Sequence, residues 1–96
     1  MIISFKSKST EDLYDGTTSK AALQIPQTIW KSARRKLDML QAAHSLVDLR
    51  QLPGNKLEAL KGKFSGKWSL RINDQYRIIF IFEKGNAQEV EIVDYH

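Results

Sequence analysis

The sequence predicts an α+β domain, a short N-terminal strand and two helices packed on a twisted antiparallel β-sheet. Three observations predict it. Apolar residues in the first half recur at three- and four-residue steps, those in the second half alternate with polar ones in short runs, and turn clusters separate the runs. The cluster Leu52-Pro53-Gly54-Asn55 marks the change from helical to extended character. The 96 residues make one domain, since cores divide only above roughly 250 residues.

Met1 to Phe5 is short and β-prone. Ser9 followed by Asp12 reads as the start of a first helix with Ser9 as its N-cap, and Gly16 ends it. Residues 17–24 show no period and read as a loop. The main helix spans residues 26–44. Pro26 suits its first position, where the missing N–H would be unpaired anyway. Ile29, Trp30, Ala33, Leu37, Leu40 and His44 form its inward stripe, while Lys31, Arg34, Arg35 and Asp38 face out.

Residues 56–60 read as a short strand, 61–66 as a glycine-flanked loop, and 67–72 as a strand with Trp68, Leu70 and Ile72 on one face. Asn73-Asp74 turns the chain. Tyr76, Ile78, Phe80 and Phe82 alternate with Arg77, Ile79 and Ile81, so both faces are largely apolar and this is a central strand. Glu83-Lys84-Gly85-Asn86 makes the next hairpin, and residues 89–95 form the last strand of a three- or four-stranded meander.

Hydrophobic residues are 42% and charged residues 27%, values of a folded domain that exclude a disordered chain. The absence of cysteine excludes disulfides, zinc–cysteine sites, iron–sulfur clusters and thiol nucleophiles, and fits a reducing compartment. The apolar run at residues 78–82 falls far short of the ~18 residues of a membrane span. The N-terminus lacks the basic and apolar regions of a secretory leader. A cytoplasmic location without a membrane partner is the expectation.

The net charge of +4 and pI near 9.5 point toward nucleic acid. Arg50, Lys56, Lys61, Lys63, Lys67, Arg71 and Arg77 lie in one stretch that holds only two acidic residues, Glu58 and Asp74. Lys56, Lys63, Lys67 and Arg71 are the candidate nucleic-acid-backbone contacts on a concave basic face. A second group, Lys31, Arg34, Arg35 and Lys36, lies upstream.

His44 and His96 are not at metal-ligand spacing, and no phosphate loop or nucleophile elbow is present, so neither metal nor any other cofactor is expected. His44 reads as a structural histidine favoured by the helix dipole. The chemically dense place is Asp94-Tyr95-His96, directly after the strand Val90-Glu91-Ile92-Val93. Alternation places Asp94 and His96 on one side and Tyr95 on the other.

Leu52-Pro53-Gly54-Asn55, Leu57-Glu58-Ala59-Leu60-Lys61-Gly62, the run from Trp68 to Ile78 and the closing Asp94-Tyr95-His96 together resemble the HigB toxins of the RelE/ParE superfamily. Ile2-Ile3-Ser4-Phe5 and Arg34-Arg35-Lys36-Leu37 agree, and the resemblance covers nearly the whole chain. It implies a RelE-like fold. It also implies an mRNA-cleaving toxin that acts on ribosome-bound message and is neutralised by a DNA-binding, HigA-like antitoxin.

Metal-free RNA cleavage uses the 2′-hydroxyl as internal nucleophile. The protein must remove its proton, stabilise charge on the phosphate and protonate the leaving 5′-oxygen. Arg77 is the first choice for the phosphate, because a planar guanidinium matches its oxygens bidentately, and Lys61 is the second cation. Tyr95 can donate to a phosphate oxygen or stack on a base. His96 is the acid or base, and the adjacent α-carboxylate biases it toward the imidazolium. Asp94 orients that imidazole or holds a cation. Some members of the resembled family carry a histidine where this chain has Glu58. Glu58 serves as base if its pKa is raised, and otherwise cleavage rests on Lys61 and on positioning of the 2′-hydroxyl by the ribosome.

Two other readings compete. A ParE-like DNA gyrase inhibitor without chemistry of its own would share the fold. A plain RNA-binding module is disfavoured because Trp30, Trp68, Phe80 and Phe82 fit core positions better than an exposed stacking row.

Overall fold

Where the first helix begins is decided by the sheet. In the computed structural model, which describes residues 1–94, Lys6 donates its N–H to the Val90 carbonyl and Ile92 donates to Thr10 Oγ1. Those ties put Ser7 at the N-cap of α1 (Lys8–Asp15), its Oγ accepting from the Thr10 N–H at 3.3 Å. Ser9, the cap expected from the sequence, lies inside the first turn and donates to Ser7 Oγ. Gly16 closes the helix as expected, at φ 79°, where glycine carries no Cβ penalty.

The main helix is shorter than its sequence pattern. Pro26 takes an extended ψ of 130° and precedes a 3₁₀ turn, Gln27–Ile29, so α2 runs only over Trp30–Ala42. The Trp30 indole donates to the Ile25 carbonyl at 2.8 Å and fixes this entry. His44 is exposed beyond the helix end, outside the apolar stripe. The reason is a second start signal: the Asp48 carboxylate accepts from the His44 and Ser45 N–H groups and opens a third helix, α3 (Leu46–Arg50). Arg34 does not simply face out either. Its Nε donates to the Leu13 carbonyl at 2.9 Å and its guanidinium lies over the Trp30 ring, tying α2 to α1.

Four antiparallel strands follow in spatial order: β1 (Glu58–Ala59), β2 (Trp68–Arg71), β3 (Tyr76–Glu83) and β4 (Asn86–Asp94). β1 is shorter than expected because Lys56 sits at φ 42° and cannot continue a strand. Asn73 makes the β2–β3 turn, its Oδ1 accepting from the Gln75 and Tyr76 N–H groups. Lys84 and Gly85, both at positive φ, make the β3–β4 turn. The N-terminal segment lies parallel to β4 and meets it at two bridges, Ile2 with Ala87 and Phe5 with Val90. Glu89, at φ 50°, gives its N–H to Ser4 Oγ between them and interrupts the ladder.

The register sorts the side chains. Trp68 pairs with Phe80, Leu70 with Ile78, and Ile78 with Ile92, so this face meets the helices. Leu70, Ile78 and Phe80 are fully buried there with Leu13, Leu37, Leu40 and Leu49. No helix among the described residues is long and apolar enough to cross a membrane.

Asp12, in α1, is buried and accepts from Ser19 Oγ at 2.6 Å and Lys8 Nζ at 3.2 Å. The Ser19 hydroxyl, aided by the lysine, holds its pKa below the usual carboxylate value and outweighs desolvation. A carboxylate depressed in the folded state stabilises above its unfolded pKa of about 3.9, and that contribution is lost as pH falls through the folded value. Asp12→Asn is therefore expected to lower stability at neutral pH and to flatten the fall of Tm below about pH 4, checked by melting wild type and variant from pH 2 to 7.

Candidate active site on the open face of the sheet

Arg71 pairs with Arg77 and Arg77 with Val93, while Glu58 pairs with Ser69, Ser69 with Ile79, and Ile79 with Glu91. Directly paired residues share a face, so all of these lie opposite the helices. The result is two adjacent rows across the open face. One is basic, Arg71 and Arg77 beside Val93; the other runs Glu58, Ser69, Ile79, Glu91. No closed pocket forms among the described residues, and within the second row Ser69 and Ile79 are fully buried.

Arg77 is the most constrained of these cations. Its side chain is only 11% exposed, one terminal nitrogen donates to the Lys56 carbonyl at 2.6 Å, and the other lies 3.8 Å from Glu58 Oε1. The Lys56 carbonyl is available because the left-handed backbone there turns it toward β3 instead of into a ladder. Arg71 holds Asp74 at 2.5 Å across the turn. That hydrogen bond, with the charges of Arg71 and Lys56, keeps the Asp74 carboxyl below its ordinary pKa. Lys56, Arg71 and Arg77 thus form one electropositive corner, edged by Asp74 and Glu58.

The expected site residues do not all gather there. Lys61 follows β1 at the opposite end of the sheet, where the Leu60 N–H meets the Lys67 carbonyl, and Lys63 lies in the adjoining 3₁₀ turn Gly62–Phe64. Extending the Trp68–Phe80 pairing by one residue puts Lys67 level with Ile81, four residues and roughly 13 Å along β3 from Arg77. Lys61, Lys63 and Lys67 therefore form a second, separate basic group. Asp94 pairs with Tyr76, which places it on the face opposite Arg77, and it accepts from Gln75 Nε2 at 3.1 Å. Tyr95 and His96 lie outside the described residues.

The upstream basic group also divides. Lys31 and Arg35 are exposed, Arg34 ties α2 to α1, and Lys36 is buried. Sequence reasoning missed two open-face residues, Ser69 and Glu91. Ser69 is fully buried, and its Oγ has no hydrogen-bond partner among the described residues. Two-residue alternation carried both assignments, but only the register aligned them with Arg77.

Residues 3–96 match the family described as RelE-like toxin of type II toxin-antitoxin system HigB. The chain is 41% identical to Toxin HigB-1 of Vibrio cholerae, covering 91% of this chain and 90% of that one. It is 34% identical to Endoribonuclease HigB of Proteus vulgaris, over the full length of both. Among solved structures it is similar to the toxin-antitoxin complex YoeB-YefM from Staphylococcus aureus, with a TM-score of 0.61, 19% identity, and coverage of 100% and 98%. The YoeB dimer of that organism superimposes with a TM-score of 0.57 at 21% identity, covering 99% and 94%. These two establish likeness of fold.

Proposed function

The chain belongs to the RelE-like HigB toxins of type II toxin-antitoxin systems, and on that premise we propose that it is an endoribonuclease that stops translation by cutting ribosome-bound mRNA without a metal. A cognate HigA-like, DNA-binding antitoxin neutralises it. The observation that carries the reading is the electropositive corner, in which Arg77 is held by the Lys56 carbonyl at 2.6 Å with Glu58 at 3.8 Å.

That arrangement supports the following chemistry. A 2′-hydroxyl loses its proton and attacks the adjacent phosphorus, the bond to the 5′-oxygen breaks, and a 2′,3′-cyclic phosphate and a 5′-hydroxyl result. Arg77 meets the phosphate oxygens as their charge grows. It is pre-oriented, so no reorganisation is required at the moment of reaction. Glu58, 3.8 Å from that guanidinium, is the carboxylate we assign to take the 2′-hydroxyl proton, a role that requires its pKa to be raised in the complex. His96 supplies the proton to the leaving oxygen, and Tyr95 donates to the phosphate or stacks on a base. Asp94, on the opposite face, acts through its neighbours and not on RNA. Lys61, Lys63 and Lys67, one or two nucleotides away by distance, hold the RNA backbone outside the reacting unit.

Primer extension on a reporter mRNA, with purified protein and translating ribosomes, tests this reading against a chain lacking Tyr95 and His96. Cuts within codons that vanish on truncation are expected. Absence of cuts together with inhibited gyrase supercoiling would replace the nuclease with a ParE-like inhibitor.

A further inference from the structure

Lys36 is a cation that neither the cleavage chemistry nor an ion pair absorbs. It lies on α2, is 8% exposed, and takes no part in the salt bridges of the described residues. Its Nζ donates to Asn55 Oδ1, and Asn55 is completely buried. Burial, then the charges of Arg35 and Arg71, hold the lysine pKa below its ordinary value. Placing an amine there is costly, and a neutral apolar side chain would pack without that cost.

The Asn55 carboxamide joins α2 to α3, and its backbone closes the turn between them and the sheet. Asn55 Nδ2 donates to the Leu49 carbonyl at 3.1 Å, in α3, while the Asn55 backbone N–H donates to the Leu52 carbonyl at 2.9 Å. The next residue is Lys56, at φ 42° and ψ 54°, whose carbonyl accepts from Arg77. A left-handed non-glycine residue is strained and persists only where its surroundings over-determine it.

We infer that Lys36 is a positioning residue for cleavage: through Asn55 it fixes the Lys56 peptide whose carbonyl orients the Arg77 guanidinium. The inference rests on the cleavage reading for its functional consequence. Its structural content, the coupling of Lys36 to Arg77, stands apart from that reading.

The test is Lys36→Met, which keeps the length and removes the donor, in wild-type and Arg77→Ala backgrounds. Single-turnover cleavage on ribosome-bound mRNA is expected to fall about 10-fold in rate at saturation, with half-saturation changed less than about twofold, because misplacing a clamping group affects the transition state most. In the Arg77→Ala background the same substitution should cause no further loss. Alongside, the Arg77 Nε–Hε resonance, assigned by its disappearance in Arg77→Ala, is expected to shift in Lys36→Met. Lys36→Gln, whose reach is too short for Asn55, should reproduce both effects and serves where the methionine variant does not fold. Equal losses in the two backgrounds, or an unmoved Arg77 resonance in a folded variant, overturn the inference. If wild type makes no cuts while the resonance still moves, the cleavage reading fails and the coupling stands.

Discussion

Arg77→Ala is expected to reduce cleavage on ribosomes by at least about 100-fold, the loss typical when one pre-oriented donor to a developing charge is removed. The magnitude follows from how the side chain is held. Arg77 is on the central strand, 11% exposed, and fixed by the Lys56 carbonyl, so its guanidinium has little freedom to lose on meeting a phosphate. Arg77→Lys retains the charge but not the two-pronged geometry, and should fall between wild type and alanine. On the proposed reading, in which Lys61, Lys63 and Lys67 also hold RNA, ribosome binding should change much less. The check is single-turnover primer extension at saturating protein, with sedimentation for ribosome binding. An alanine variant that cuts like wild type would remove Arg77 from the site.

The second large effect concerns stability. Phe80→Ala is expected to destabilise the domain by about 3–5 kcal/mol, the usual cost of emptying a phenylalanine site in a core. Phe80 is fully buried on the helix-facing side of β3, opposite Trp68, with its ring edge-on to Phe82 at 6.4 Å. For a domain whose total stability is of order 5–15 kcal/mol, this lowers Tm by more than about 12 °C. Ile81, one residue on and on the open face, is only half-buried, and Ile81→Ala should cost clearly less. Melting curves of the two variants check the assignment of faces directly. Equal losses would mean that the register places the core wrongly.

The site was legible in residue type more than in place. Arg77 and the Lys56–Arg71 pair stood out because cations recur through a stretch with few carboxylates, and the structure brings these three to one corner. Lys61, Lys63 and Lys67 carry the same charge and the same sequence signal, yet strand pairing sends them to the far end of the sheet. Lys36 stands in the sequence within the same basic group as Lys31, Arg34 and Arg35, and helix periodicity cannot tell a solvated lysine from one whose amine finds a buried carboxamide. The third helix had a local signal in Ser45-Leu46-Val47-Asp48, which the longer apolar stripe of α2 masked.

By itself the sequence determined the α+β order, the central place of β3, the hairpin turns and the apolar face, along with kinship to the HigB toxins. These depend on local physics: period, turn chemistry, and the choice of water or core for each side chain. Only the tertiary structure decided that Ser7, not Ser9, caps α1, that Asp94 faces away from Arg77, and that Lys36 reaches Asn55. Each depends on a partner distant in the chain, Val90 for the first, Tyr76 for the second and Asn55 for the third. Such pairings are selected by the packing of the whole domain, because a one-residue shift of register exchanges every face at once.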